Sequence, residues 1–126
     1  MGVRCECEIT PVLCPTQVAA GESTNVQFIV NVSGFCQNCQ VRCNLVFSGE
    51  GGDGTCNLSA PGSNPVEPGE PLTVGPGSTL VTATISINAC PTQGEPLNLN
   101  VAVRCLNESG VEVCEDSADC SNIDCI

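Results

Sequence analysis

The chain contains no Lys, His, Trp or Tyr, and Phe occurs three times in 126 residues. Without His there is no Ser–His–Asp triad, no Cys–His dyad and no His-ligated metal. Without Lys there is no Walker phosphate loop, no Schiff base and no PLP chemistry. The cations are Arg4, Arg42 and Arg104, against fourteen Asp plus Glu, for a formal net charge of −11. That balance excludes a nucleic-acid footprint and attraction to an anionic membrane. It leaves cations, neutral surfaces and copies of the chain itself as partners. No apolar run approaches a membrane span, and no segment reads as the apolar core of a signal sequence. The expectation is a protein with no catalytic residues, no cofactor and no resident metal.

Cysteine is abundant instead. There are twelve, about one residue in ten, the level that marks a disulfide scaffold. Their even number fits full pairing in an oxidising compartment. The expected location is therefore extracellular, or a cell or spore surface, reached by a route other than a visible signal peptide. Met1-Gly2 is a poor myristoylation start, because Glu6 stands where Ser or Thr is wanted. The sequons at Asn31, Asn57 and Asn107 are near chance frequency in so Ser- and Asn-rich a chain. Hydrophobic residues make up 41% and charged residues 13%, so the chain can form a packed body rather than an acidic disordered tail.

The apolar period is two almost throughout. Val26, Phe28, Val30 and Val32 alternate with outward positions. So do Val41, Cys43, Leu45 and Phe47; Val81, Ala83, Ile85 and Ile87; and Leu97, Leu99, Val101, Val103 and Cys105. Each run reads as a strand with one face on a core and one in water. Ile9–Leu13, Thr55–Leu58, Leu72–Val74 and Val111–Cys114 are shorter candidates. Gly-rich or Pro-rich turns fall at 49–54, 60–71 and 75–77. No helix is expected. The fold class is all-β: a single immunoglobulin-like or jelly-roll-like antiparallel sandwich of seven to eight strands. The expected boundaries are an N-terminal connector arm at 1–8, a sandwich at 9–114, and an acidic, Cys-containing tail at 115–126 with no periodicity.

Two stretches carry a resemblance. Val18-Ala19-Ala20-Gly21-Glu22 running into Asn25–Val32, and Leu72-Thr73-Val74-Gly75-Pro76-Gly77-Ser78 running into Val81–Ile87, resemble bacterial and archaeal cell-surface Ig-like domains. The resemblance covers roughly residues 9–114 and implies a sandwich fold and roles as stalk, adhesin module or filament subunit. The Cys-bearing tails depart from that pattern. They more loosely resemble subunits of endospore-appendage pili, in which a Cys-containing N-terminal connector cross-links one subunit to the next.

Two short repeats stand out. Cys14-Pro15-Thr16-Gln17 recurs as Cys90-Pro91-Thr92-Gln93, and each Arg sits in a Val-Arg-Cys tripeptide. Reuse of equivalent strand ends explains both. A neighbouring Arg would also lower a thiol pKa, although adjacent strand residues point to opposite faces.

The cysteines divide by place. Cys14, Cys36, Cys39, Cys43, Cys56, Cys90, Cys105 and Cys114 fall in the body and are expected to make intra-domain disulfides. Cys43 with Cys105, and one bridge among Cys14, Cys56 and Cys90, are the expected pairs. Cys5, Cys7, Cys120 and Cys125 lie in the tails, where they either staple the tails onto their own domain or bridge subunits. Cys5 and Cys7 are two apart, so on a strand they face the same way and suit partners other than each other. A thiolate Zn site from Cys36, Cys39, Cys43 and the Cys5/Cys7 pair is a weaker reading, because a strong signal needs two C-x-x-C pairs. A redox role for Cys36-Gln37-Asn38-Cys39 lacks the helix N-terminus that such motifs use. The acidic groups near Asp53 and along Asp116–Asp124 do not follow an EF-hand pattern and read as solvated charge, open to weak Ca²⁺ binding. The expected function is a structural subunit of an extracellular or surface filament, a helical homopolymer joined by arm docking and inter-subunit disulfides. The few cations leave trypsin-like proteases few sites, which suits an exposed fibre. The alternatives are a monomeric secreted adhesion module and a thiolate metal-binding protein.

Overall fold

The structure, a computed structural model, describes residues 4–63 and 66–126. Met1–Val3, the first part of the expected arm, and Asn64 and Pro65 of the Pro-rich loop lie outside the described residues.

Among the described residues, nine strands form two sheets: β1 (Glu6–Pro11), β2 (Gln17–Val18), β3 (Ser23–Ser33), β4 (Gln37–Phe47), β5 (Asp53–Ser59), β6 (Leu72–Val74), β7 (Gly77–Ala89), β8 (Leu97–Leu106) and β9 (Glu112–Cys125). One sheet runs β1-β3-β7-β5 and the other β2-β9-β8-β4-β6. All pairings are antiparallel except the two-residue β2 beside β9. Leaving out the short β2 and β6, the seven longer strands fall in the ABED and CFG order of an Ig-like sandwich.

The period-two reading places the core. Val26, Phe28, Val30 and Val32 of β3 and Val81, Ala83, Ile85 and Ile87 of β7 are buried on one inner face. Leu97, Leu99, Val101, Val103 and Cys105 of β8 oppose them with Val41 of β4, while Cys43, Leu45 and Phe47 are half-buried toward the open end of β4. Phe28 is the one fully buried aromatic, since Phe47 is half-buried and Phe35 is 72% exposed. The inner layer is thus built mostly from Val, Leu, Ile and Cys. Gly54 is required by close approach, because a Cβ there would meet the Ser86 carbonyl oxygen at 2.8 Å.

The described part of the expected arm and the expected C-terminal tail belong to the sandwich. β1 begins at Glu6, inside the expected arm, and pairs with β3 from Glu6↔Ser33 to Pro11↔Phe28. The segment 115–126 is no loose tail either: β9 continues to Cys125 and lies between β8 and β2. Its inward positions are Cys114, Asp116, Ala118 and Cys120, which gives no apolar alternation to read. A bulge then shifts the parity. Three steps of β9, Cys120 to Ile123, span what two steps of β8, Leu99 to Leu97, cover, and Asn122 takes a φ of 56°. Beyond it Ile123 and Cys125 are buried. Asn98 Oδ1 accepts the Asn122 backbone N–H at 2.9 Å and holds the bulge.

Truncating Phe28 to Ala is expected to cost about 3–5 kcal/mol, the usual cost of emptying a packed aromatic site. Gln27→Ala, on the outer face of the same strand, is expected to stay within about 0.5 kcal/mol. Urea unfolding of the oxidised protein measures both.

Candidate functional site

The cysteines are the chemically distinctive groups, and strand geometry decides where each one goes. Six disulfides form: Cys5–Cys36, Cys7–Cys114, Cys14–Cys120, Cys39–Cys105, Cys43–Cys56 and Cys90–Cys125. No free cysteine is present among the described residues.

Two bridges join the sheets, one on each flank. Cys7 on β1 meets Cys114 on β9, and Cys43 on β4 meets Cys56 on β5. The first closes a separation of 107 residues and the second one of 13. By chain-entropy arithmetic such loops contribute about 4.7 and about 3 kcal/mol. The β1 flank has a second tie. The Ile9 backbone N–H, on the edge away from β3, donates to Asp116 Oδ2 at 2.9 Å. This contact accounts for the inward Asp116: a carboxylate satisfies an edge amide that no strand pairs. On the other flank, residues 66–70 lie along β5. The Gly69 N–H donates to the Cys56 carbonyl at 3.4 Å, and Asn57 Nδ2 to the Val66 carbonyl at 3.5 Å.

The remaining four bridges sit toward the two ends. At the end that carries the N-terminus, Cys5 bonds Cys36 in the β3–β4 connection, and Cys39 bonds Cys105 across β4 and β8. Asn38 lies between Cys36 and Cys39 with a φ of 50°, where the β4–β8 register slips by one residue. Beyond this bulge Cys39 has the inward parity of Val41 and stands opposite Cys105, one step past the Gln40↔Arg104 pair. At the opposite end, Cys14 and Cys90 bond Cys120 and Cys125 of β9. The C-terminus is fastened there by backbone bonds from the Ile126 N–H to the Val18 carbonyl at 2.9 Å and from the Ala20 N–H to the Ile126 carbonyl at 3.0 Å.

Several expected pairings are corrected. Cys43 and Cys105 both face inward, yet Cys43 stands opposite Val101. That leaves it four residues, about 13 Å, from the level of Cys105. Cys14, Cys56 and Cys90 do not bond among themselves: Cys14 and Cys90 reach β9, and Cys56 reaches β4. Cys5, Cys7, Cys120 and Cys125 all close within their own chain, because β1 and β9 are sheet strands rather than free extensions. The sulfurs expected as Zn ligands, those of Cys5, Cys7, Cys36, Cys39 and Cys43, are all held in disulfides and offer no thiolate in this oxidised state. Reading the β9 pairing from sequence would have required seeing half-cystines as the apolar positions of a strand.

Two hollows flank this network. One of about 270 Å³ lies beside the Cys43–Cys56 bridge and is lined by Asn44, Leu45, Gly54, Thr55 and Pro68, with no ionisable side chain. The other, about 200 Å³, lies on the outer face of the five-stranded sheet between Gln40, Arg42, Ala102, Arg104 and Glu115. It gathers two of the three arginines. Arg104 Nε lies 3.5 Å from Glu112 Oε1, in an exposed pair of small energetic weight. The carboxylates expected to attract Ca²⁺ do not converge: Asp116 is bound to Ile9, Asp119 accepts from Asn100, and Asp53 accepts from Asn88 at 3.0 Å.

The sequence matches no protein-family model and no curated protein. Some solved structures are similar to this chain. AvmM, which catalyzes macrocyclization in alchivemycin A biosynthesis, superposes with a TM-score of 0.63 at 8% identity, over 91% of this chain and 87% of its own. The CARDB domain of a Pyrococcus furiosus protein gives 0.49 at 16% identity, over 97% and 94%. AggA, the major subunit of aggregative adherence fimbriae type I from Escherichia coli, gives 0.38 at 18% identity, over 99% and 97%. At 8% identity the likeness to AvmM is one of fold. The chain is an Ig-like β-sandwich module, rich in disulfides and closed on both flanks by covalent bridges.

Replacing Asp116 by Ala is expected to destabilise the protein by about 1–3 kcal/mol, the cost of orphaning a partly buried donor. Hydrogen exchange should show the Ile9 amide losing its protection. The double variant Cys90→Ser/Cys125→Ser is expected to lose about 2–4 kcal/mol, with protection lost first over residues 123–126.

Proposed function

We propose that the protein is a non-enzymatic building block of an extracellular, cell-surface or spore-surface filament. In this reading subunits stack end to end and are joined by the N-terminal arm and by disulfides between subunits. The observation that carries it is that the most exposed apolar side chains lie beside cysteines toward the two ends of the sandwich, while the less exposed Ile29, Val46 and Leu80 lie on outer sheet faces. The end that holds Cys5 and Cys7 also presents Phe35 at 72% and Val111 at 59% exposure. The opposite end presents Leu13 at 78% and Ile126 at 65%, beside the half-buried Cys14 and Cys90 that bond Cys120 and Cys125. Two unlike, apolar ends favour heterologous head-to-tail contacts, which extend rather than close. Such stacking brings the Cys5/Cys7 end of one copy to the Cys120/Cys125 end of the next. Disulfide exchange between those ends conserves the number of bonds, so it needs a catalytic thiol and no net oxidant. The hollow holding Arg42 and Arg104 offers a site for carboxylates of a neighbouring copy in a chain that is otherwise strongly acidic. Six disulfides support an oxidising location.

A monomeric secreted adhesion module is the second reading. It is favoured by one fact: all twelve cysteines pair within the chain.

Electrophoresis with and without reductant separates the two, together with electron microscopy of the native material. A ladder that collapses to the 12.9 kDa monomer on reduction, together with fibres, is the expected result. A single monomer band under both conditions and an absence of fibres would establish the monomeric module instead. Deleting residues 1–8 would remove part of β1 and the Cys7–Cys114 staple, so Cys5→Ser/Cys36→Ser is the better probe. It is expected to remain folded, lose the ladder and leave no unpaired thiol.

A further inference from the structure

At the N-terminal end two disulfides are packed against each other. The sulfurs of Cys5, Cys36 and Cys105 all lie within 4.8 Å of one another, although Cys36 is bonded to Cys5 and Cys105 to Cys39. Among the described residues no other cluster of three such groups occurs. The two bridges differ in access. Cys5 and Cys36 are half-buried, whereas Cys39 is 3% and Cys105 0% exposed. An attacking thiol therefore reaches the first bridge directly and the second only through it.

We propose that Cys5, Cys36, Cys105 and Cys39 form a thiol–disulfide relay that accepts a thiol covalently at Cys5. A thiolate attacks the Cys5 sulfur, a new bond forms there, and the Cys5–Cys36 bond breaks with its electron pair leaving on Cys36. Exposed Arg4, adjacent in the chain, favours the approach of the anion. The Cys36 thiolate then attacks the neighbouring Cys105 sulfur. The Cys36–Cys105 bond forms, and the Cys39–Cys105 bond breaks with its electron pair on Cys39. The proton given up by the incoming thiol ends on Cys39. Thiol, Cys5–Cys36 and Cys39–Cys105 become a mixed disulfide at Cys5, a Cys36–Cys105 bridge and a Cys39 thiol, with no net oxidation.

Burial gives the relay its direction. The freed Cys39 sulfur, 3% exposed, lies out of reach of outside thiols and disulfides and packs as a small apolar group, so it is retained inside the domain. The second step must expel a sulfur that is itself buried, so it belongs at the slow end of the seconds-to-hours range of reshuffling. The consequence is that the arm can be tethered to a partner while Cys36 is re-bonded inside the domain. A simple opening would leave Cys36 dangling.

The native protein treated with limiting reduced glutathione tests this on a single chain, whether or not the protein forms filaments. After acid quench and capping with N-ethylmaleimide, tandem mass spectrometry locates each group. Glutathione on Cys5, maleimide on Cys39 and a Cys36–Cys105 link are expected. Maleimide on Cys36 with Cys39–Cys105 intact would overturn the relay, as would failure of glutathione to add at Cys5. In Cys39→Ser/Cys105→Ser the maleimide should move to Cys36. If that variant does not fold, the wild-type map alone decides. A parallel arm uses Cys36→Ser, whose Cys5 has lost its partner, as the thiol donor. A Cys5–Cys5 dimer with maleimide on Cys39 of the wild-type copy identifies a second copy as a competent donor. Glutathione addition without that dimer assigns the site to small thiols.

Discussion

Everything else in the molecule depends on the covalent fastening of β9. This strand lies inside the five-stranded sheet, between β8 and β2, yet its inward side offers Ala118 and Ile123 as its only aliphatic groups. Apolar burial at roughly 25 cal/mol per Å² cannot hold so polar a strand in that place. Half-cystines do it instead. Cys114, Cys120 and Cys125 occupy core-facing positions and bond Cys7, Cys14 and Cys90. Each acts twice, as a small apolar side chain that fills the layer and as a tether that removes freedom from the unfolded chain. Because two of these bonds span more than a hundred residues, they join the first strand to the last and close the sandwich as a ring.

A thin aliphatic core explains why so much covalent reinforcement is present. With Phe28 as the single fully buried aromatic, the sandwich lacks the large rings that usually supply most of a core's contact area. One bridge on each flank replaces that cohesion between sheets. Asp116 is part of the same arrangement. It would be an expensive group to turn inward, were it not spent on the edge amide of Ile9. The unpaired edge of β1 is covered in this way, and the edge of β5 by the segment 66–70, so the flanks are closed and the ends remain as the open surfaces.

That division between closed flanks and open ends gives the cysteines two kinds of role. Bridges in the interior and on the flanks reinforce a weak core. Those near the ends sit beside exposed Phe35, Val111, Leu13 and Ile126, where another molecule can reach them. The adjoining pair Cys5–Cys36 and Cys39–Cys105 links the two roles, since one bridge is accessible and the other is buried behind it.

The sequence by itself determined the all-β class, the inward faces of β3, β7 and β8, and the absence of the His and Lys that triad and phosphate-loop chemistry use. Those features follow from period-two alternation and from missing residue types, both local properties of the chain. Tertiary structure alone decided the fate of the termini and the pairing of cysteines. Glu115–Ile126 has no apolar alternation because its core positions are Asp116, Ala118 and Cys120, with a bulge before Ile123 and Cys125, so its strand character exists only in its register with β8. Cys43 and Cys105 share the correct parity, but parity says which face a residue takes and not how far along the strand its partner lies. Register, the bulges at Asn38 and Asn122, and the packing of β1 against β9 set those distances, and they arise from contacts between residues far apart in the chain.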